Sequence, residues 1–287
     1  VAKPNFLDLP DRLSDFDKAR IVVLGVPYEA STTYGKGTAD GPLAIIEASS
    51  QVEFYDEELD AEICDIGIAT EMPFRKFDPD PERAVNQIAA ACERLLEQEK
   101  FVVGLGGEHT VSLGLVQAFK KFYPDMWVLQ LDAHSDLRDR YHDSPFNHAC
   151  VMARVQELCP YFGVGIRSGI KDERGLLKTP SRILYAHEMY QNPNWGEAVL
   201  EGVGEPLYIT IDLDFFDPAF VPSVGTPEPG GFGWVETLRF LRNVARARKI
   251  IGFDVVELLP RPGFAAADFF AARLVYKLLG YIFAAKT

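Results

Sequence analysis

Cysteine is scarce in this chain of 287 residues, limited to Cys64, Cys92, Cys150 and Cys159, with no Cys-x-x-Cys pair. A disulfide framework is therefore not expected, and the four read as reduced thiols of a cytoplasmic protein. Positive charge is also short: 29 Lys and Arg stand against 42 Asp and Glu, a net charge of −13. No basic patch offsets the acidity, so nucleic acid is not an expected partner, whereas a small cationic one suits the field. Long uncharged apolar runs are missing. The most apolar late stretch, 264–285, carries Asp268, Arg273 and Lys277, and reads as a packed amphipathic helix rather than a membrane span. No basic segment followed by an apolar core opens the sequence, so secretion is not expected. Repeats, low-complexity tracts and linkers are lacking too. Residues 1–287 are expected to form a single domain, with a polar N-terminal surface arm at residues 1–19.

Two nucleotide signatures are incomplete. Gly35-Lys36-Gly37 lacks the remaining spacing of a phosphate loop. Gly104-Leu105-Gly106-Gly107 would need a third glycine at position 109, where His109 stands, so it is not a dinucleotide fingerprint.

With 47% hydrophobic residues the chain can bury a sizeable core. Short buried-strand patterns occur at 21–26, 64–68, 101–105, 126–131, 161–166, 182–185, 207–211 and 249–256. Helical patterns fall at 43–54, 81–98, 111–122, 150–158, 234–247 and 265–283. Continuous apolar strands alternating with helices predict an α/β fold with a mainly parallel central sheet covered on both faces.

Four of these strands run directly into His or acidic residues. The motifs are Gly106-Gly107-Glu108-His109, Asp132-Ala133-His134-Ser135-Asp136, Asp212-Leu213-Asp214 and Asp254-Val255-Val256-Glu257. In the second, three ligand-type residues alternate, so an extended backbone would turn them the same way. In open α/β sheets the site lies beyond the carboxyl ends of the strands. The predicted metal ligands are His109, Asp132, His134, Asp136, Asp212 and Asp214. Four carboxylates with two imidazoles are too anionic for one divalent ion and suit two. Oxygen-rich sets with some imidazole favour Mn²⁺, with Zn²⁺, Co²⁺ or Fe²⁺ able to occupy the same residues. Paired ions about 3.5–4 Å apart acidify a shared water enough to supply hydroxide near neutral pH.

With these motifs in place, the sequence resembles the ureohydrolase superfamily, the arginases and agmatinases, from about Ile21 to Leu279. The family's Gly-Gly-x-His, Asp-Ala-His-x-Asp and Asp-x-Asp-x-x-Asp-Pro patterns stand here in order, the last as Asp212-Leu213-Asp214-Phe215-Phe216-Asp217-Pro218. Gly225-Thr226-Pro227 followed by Gly230-Gly231 also matches. The resemblance implies a three-layer α/β/α fold, two Mn²⁺ per subunit, and a homotrimer or homohexamer. It implies hydrolysis of a guanidinium group to urea and an amine. Glu257 corresponds to the carboxylate that grips the guanidinium, and His148 to a proton-relaying histidine, with Ala149 where the family usually has glycine. Asp136 would pass a proton to the departing nitrogen, and Thr226 is a further candidate substrate contact.

The loop from Leu137 to Asn147 is charged and aromatic, and looks like the agmatinase branch rather than the Ser/Thr/Asn-rich arginase stretch. Agmatine, cleaved to putrescine and urea, is the expected substrate. Arg138 and Arg140 are expected to be solvated or paired with Asp139 and Asp143, although they could bind the carboxylate of another guanidino compound such as guanidinobutyrate or arginine. His142 and His187 are expected at the surface or in packing. A single-zinc deacetylase-type amidohydrolase and a non-catalytic polyamine-binding relative are the rival readings, and the intact ligand set disfavours both.

Overall fold

The β-branched runs become strands and the amphipathic stretches between them become helices, in a computed structural model that describes residues 4–284. The strands are β1 (Ile21–Val26), β2 (Tyr55–Asp56), β3 (Ala61–Glu62), β4 (Ile68–Glu71), β5 (Phe101–Gly106), β6 (Trp127–Leu131), β7 (Tyr161–Ile166), β8 (Arg182–Tyr185), β9 (Leu207–Asp212) and β10 (Ile250–Val256). The helices are α1 (Asp11–Ser14), α2 (Gly41–Ser49), α3 (Pro81–Leu96), α4 (Thr110–Phe122), α5 (Val151–Leu158), α6 (Ala186–Gln191), α7 (Trp195–Gly202), α8 (Trp234–Ala247) and α9 (Ala266–Phe283). Eight strands form one sheet in the order β4-β1-β5-β10-β9-β6-β7-β8. Its pairings are all parallel.

Alternation along each strand divides the core in two. Ile21 and Val23 of β1 join one apolar cluster, with α2, α8 and α9. Val22, Leu24 and Val26 join the other, with α3, α4 and α5. This is the expected three-layer arrangement, with helices on both sheet faces. Helix α3 shows how local chemistry sets it up: Asp80 caps it by accepting the Arg83 N–H at 3.1 Å, and Pro81 stands in its first turn. No helix among the described residues is long and apolar enough to cross a membrane.

Several expected elements move. The strand read at 64–68 is instead a tight turn at Ile63–Ile66, and the strand proper is β4. Gly67, at φ 84°, separates the two, and a Cβ there would fall 3.0 Å from the Ala19 backbone. Helix α2 stops at Ser49 rather than reaching Phe54. The hydroxyls of Ser49 and Ser50 bond back to the carbonyls of Ile46 and Glu47 at 2.6 and 2.7 Å, competing with the helix ladder. The β2–β3 hairpin, α1, α6 and α7 are too short to leave a clear periodicity. The N-terminal segment read as a surface arm is pinned down: Phe6, Leu7 and Leu9 are buried. The Phe6 N–H bonds Thr70 Oγ1 and the Leu7 N–H bonds Ser49 Oγ. Residues 1–3 of that arm and Ala285 of the apolar late stretch lie outside the described residues.

The charges in the late apolar helix have structural partners. Lys277, buried in α9, bonds Asp56 and Glu58 of the hairpin region, both at 2.8 Å. Asp56 is fully buried, and its other nearby cation is Arg273 at 3.6 Å. Removing one partner of a buried pair strands the other charge. Lys277→Met is expected to destabilise the fold by about 3 kcal/mol, read as a lowered urea midpoint. A loss under about 1 kcal/mol would contradict a structural role for this network.

Candidate metal centre and active site

The four central strands, β5, β10, β9 and β6, are neighbours in the sheet, and their carboxyl ends release the four motifs side by side. After β5 the chain must turn tightly against β1. The N–H groups of Gly107 and Glu108 bond the carbonyls of Val26 and Tyr28 at 3.0 and 2.9 Å. A Cβ at Gly107 would lie 2.2 Å from the Tyr28 oxygen, so only glycine fits. His109 follows two residues later, at the position just before α4, and its side chain makes no capping bond to the helix. After β9, Asp212 Oδ1 accepts the Asp214 N–H at 2.8 Å and winds a single turn that turns Asp214 inward. After β10, the Glu257 N–H bonds the Gly107 carbonyl at 2.8 Å, tying the first and last motifs together.

The Asp132–Asp136 motif converges by a different route from the one the alternation predicts. Strand β6 ends at Leu131. Asp132 Oδ1 accepts the His134 N–H at 2.6 Å, the Ala133 N–H bonds Asp214 Oδ1 at 3.0 Å, and Asp136 adopts φ 49°. The three side chains meet because a hydrogen-bonded loop folds them together, since the strand has already ended. Asp136 and Glu257 (φ 67°) both hold left-handed backbone. Such conformations cost about 1–3 kcal/mol each and persist where the surroundings enforce them.

His109 Nδ1 lies 3.0 Å from Asp132 Oδ2, 3.1 Å from Asp136 Oδ2 and 3.5 Å from Asp212 Oδ2. His134 Nδ1 lies 2.7 Å from Asp214 Oδ2 and 3.8 Å from Asp132 Oδ1. Two sets of ligand atoms fall within 4.8 Å of one another: His109, Asp132 and Asp136, and Asp132, His134 and Asp214. Asp132 belongs to both. Thr32, Tyr34, His148, Thr226 and Glu257 line the same cavity as His109, His134, Asp136, Asp212 and Asp214. Thr226 Oγ1 stands 3.4 Å from Asp214 Oδ2, so it touches the acidic cluster as well as the cavity. Ala149 is not among the positive-φ residues, and its N–H bonds Asn147 Oδ1, so no glycine is required after His148.

A cation fits this cluster on the chemistry of its donors. Behind His109, the buried Asp254 carboxylate accepts hydroxyls from Thr210 at 2.7 Å, Ser112 at 2.9 Å and Tyr208 at 2.6 Å. With its hydrogen given to Asp254, Thr210 Oγ1 can only accept from His109 Nε2, 3.0 Å away. The ring is thereby held with its Nδ1 lone pair toward the carboxylates. Nδ1 is buried and makes no hydrogen bond. A buried lone pair facing three carboxylate oxygens is resolved by a positive ion, and a hydrogen-bonded second nitrogen is how ligand histidines are usually oriented.

The charge states tell the same story. Burial pushes Asp132 up to about 7, with Asp214 and Asp136 adding repulsion. Burial likewise raises Asp212 well above the carboxylate range, with Asp214 next. His134 is held up at about 10, since Asp214 outweighs the desolvation that would lower it. His109 is raised too, its contacts with Asp132 and Asp136 overcoming burial. Asp214 alone falls, to about 2, because His134, the Ala133 N–H and Arg167 overcome its burial. Burial raises Glu257 to about 8, with Glu108 adding to it.

Sequence reasoning passed over several supporting groups. Arg167, at the end of β7, bonds the carbonyls of Asp214 and Glu228 at 2.6 and 2.8 Å and so clamps two site loops. Its one signal was an arginine just past a buried strand. Thr210 was also missed: it is the partner of Asp254 across the β9–β10 register, so the task of that motif residue is revealed only by pairing. Glu228, 3.9 Å from His134 Nε2, sits in a loop read only as a family match. In the 137–147 loop, Asp139 pairs with Arg154 at 2.6 Å, not with a loop arginine. Arg140 bonds the Asp143 carbonyl, and Arg138 lies over the Tyr141 ring. His142 and His187 are exposed; the first packs tilted against Tyr141 and the second stacks on Tyr185.

The chain is similar to known proteins over most of its length. The arginase family matches residues 19–280. An N(1)-aminopropylagmatine ureohydrolase of Synechocystis sp. is 41% identical, over 94% of this chain and 92% of its own. An agmatinase of Bacillus cereus is 34% identical over 85% of each chain. The crystal structure of the agmatine ureohydrolase of Thermoplasma volcanium superposes with a TM-score of 0.86 at 27% identity, covering 99% of this chain and 96% of that one.

Metal binding needs deprotonated ligands, and these ligands hold protons tightly. Between the unfolded carboxylate range and about 7, Asp132 binds more protons folded than unfolded, so ion-free stability falls as pH rises. His134 acts in the same direction from its ordinary value up to about 10. Ion-free protein is therefore expected to lose Tm from pH 6 to pH 8, while the gain in Tm on adding Mn²⁺ grows over that range. Calorimetry at both pH values checks this; a gain that shrinks with pH would contradict it.

Proposed function

Because the chain belongs to the arginase family, we propose that it is a binuclear-manganese ureohydrolase cleaving the guanidinium of agmatine or a close derivative to urea and an amine. The observation that carries this reading is that His109, His134, Asp136, Asp212 and Asp214 line one cavity with Glu257 and His148, with the buried Asp132 in contact with both ligand histidines. His109, Asp132 and Asp136 would hold one ion and His134 and Asp214 the other, with Asp132 shared and Asp212 completing the set. Bound there, two divalent ions supply the Lewis acidity and acidified water that a resonance-stabilised guanidinium needs for attack. The oxygen-rich set favours Mn²⁺, with Zn²⁺, Co²⁺ or Fe²⁺ compatible. A cytoplasmic homotrimer or homohexamer, built from one domain per chain, is part of the same reading.

The chain's own groups bind and orient the substrate. Glu257 Oε1 is fixed by the His109 N–H at 2.7 Å. A carboxylate so placed matches the planar fork of a guanidinium in two parallel bonds, and the arriving cation favours its ionised form. Asp136 takes a proton released in the attack and returns it to the departing nitrogen. His148, its pKa lowered chiefly by burial, stands at the cavity as a neutral base that exchanges protons with solvent.

The substrate's tail is read by what the loop lacks. Both loop arginines already have partners within it, so neither is reserved for a substrate carboxylate, which supports an amine tail. A longer amine, N(1)-aminopropylagmatine, is the second reading. It is favoured by the Synechocystis relative's name and by a 440 Å³ cavity beyond Thr32 and Thr33, residues that also line the site.

Urea release with added Mn²⁺ is expected from agmatine and N(1)-aminopropylagmatine with kcat/KM about tenfold or more above arginine and 4-guanidinobutyrate. The ratio between the two amines decides the second reading. No urea from any of the four, or arginine as the best substrate, would contradict the proposal. Glu257→Gln is expected to lower kcat/KM about 100-fold, equivalent to about 3 kcal/mol of lost charged hydrogen bonding, measured in the same assay.

A further inference from the structure

Glu108, Ser31 and His148 form an unbroken hydrogen-bonded line that ends at the cavity. Glu108 is fully buried. Its Oε2 accepts the N–H groups of Ala30 and Ser31 at 2.7 and 2.6 Å. Its Oε1 accepts the hydroxyls of Ser31 and Thr110, each at 2.6 Å. Ser31 has one hydroxyl hydrogen, and a carboxylate has none to give, so the short bond to Glu108 uses it. Ser31 Oγ is left with lone pairs. It accepts the backbone N–H of His148 at 3.0 Å and lies 3.1 Å from His148 Nδ1. With the hydroxyl hydrogen committed elsewhere, Nδ1 must be the donor in that contact.

We infer that Glu108 and Ser31 are positioning residues that lock the neutral His148 ring as its Nδ1–H tautomer and present an unprotonated Nε2 to the cavity. The inference rests on His148 being the proton carrier of the proposed reaction. His148 lines the cavity beside Asp136, and no group among the described residues hydrogen-bonds its Nε2. In this tautomer Nε2 takes a proton from solvent water and delivers it to the free amine product, after Asp136 has protonated the departing nitrogen. The ring returns to its starting form and the Nδ1 proton never moves. The opposite tautomer would face the cavity with a hydrogen already in place and no lone pair to receive the next. The device matches the one behind His109, where Asp254 acts through Thr210 to fix the other histidine in the reverse sense. Each imidazole is set by a buried carboxylate acting through a hydroxyl.

Heteronuclear NMR of histidine-labelled protein loaded with diamagnetic Zn²⁺ reads the tautomer directly, with the His148 signal assigned by its loss in His148→Asn. The wild-type ring is expected to carry its proton on Nδ1. Glu108→Gln places an amide N–H against Ser31 Oγ, turns the hydroxyl hydrogen toward His148, and is expected to move the ring proton to Nε2. Ser31→Ala is expected to release the preference for Nδ1–H and Ser31→Thr to restore it. In Mn²⁺-loaded enzyme, Glu108→Gln and Ser31→Ala should lower kcat about tenfold or more with KM within about threefold, and Ser31→Thr should recover most of the loss. A wild-type ring protonated on Nε2 overturns the inference, as does an unchanged tautomer in folded Glu108→Gln and Ser31→Ala. Wild-type protein that carries the Nδ1 proton but releases no urea from any guanidino compound overturns the proposed function instead.

Discussion

Burying like charges together is the constraint around which this molecule is built. Asp132, Asp136, Asp212 and Asp214 converge with His109 at the carboxyl edge of the sheet, all nearly or fully buried. Isolated ionised carboxylates in such a place are expensive, and repulsion among them raises the proton affinity of Asp132 and Asp212 further. Protons relieve that stress in the ion-free chain, and divalent cations would relieve it more fully. Every nearby feature serves to keep the ligands from escaping the stress by moving apart.

Three levels of structure do this holding. The parallel sheet sets four neighbouring strand ends at one edge. Backbone bonds then lock the loops: Glu257 to Gly107, Ala133 to Asp214, and Arg167 across the Asp214 and Glu228 carbonyls. Last, hydroxyl groups set ring orientation, with Thr210 holding His109 and Ser31 contacting His148. The two apolar clusters on either side of the sheet supply the rigidity that makes sub-ångström placement of these groups durable.

The six candidate ligands were legible because each follows an apolar strand closely and the motifs occur together. Gly106-Gly107 was legible as a motif, but its reason, the approach to the Tyr28 carbonyl, is a tertiary contact. Ser31 and Glu108 were invisible as a pair, since 77 residues separate them and neither breaks a pattern. Asp254 was seen, yet its task depends on β9 lying beside β10, which no local signal encodes. Among the elements, long strands and helices came through, whereas the β2–β3 hairpin and the turn at Ile63–Ile66 did not. Their positions are fixed by contacts such as Lys277 to Asp56 and the Cys64 N–H to Tyr276, across more than two hundred residues.

The central claim is that this acidic cluster is a cage for two cations, with Asp132 shared between them. Metal stoichiometry of Mn²⁺-reconstituted, folded protein tests it most directly, compared between wild type and Asp132→Asn. Two ions per chain in the wild type, with loss of tight binding in the variant, is the predicted result. One ion or none in the wild type, or two tightly bound ions in Asp132→Asn, would contradict it.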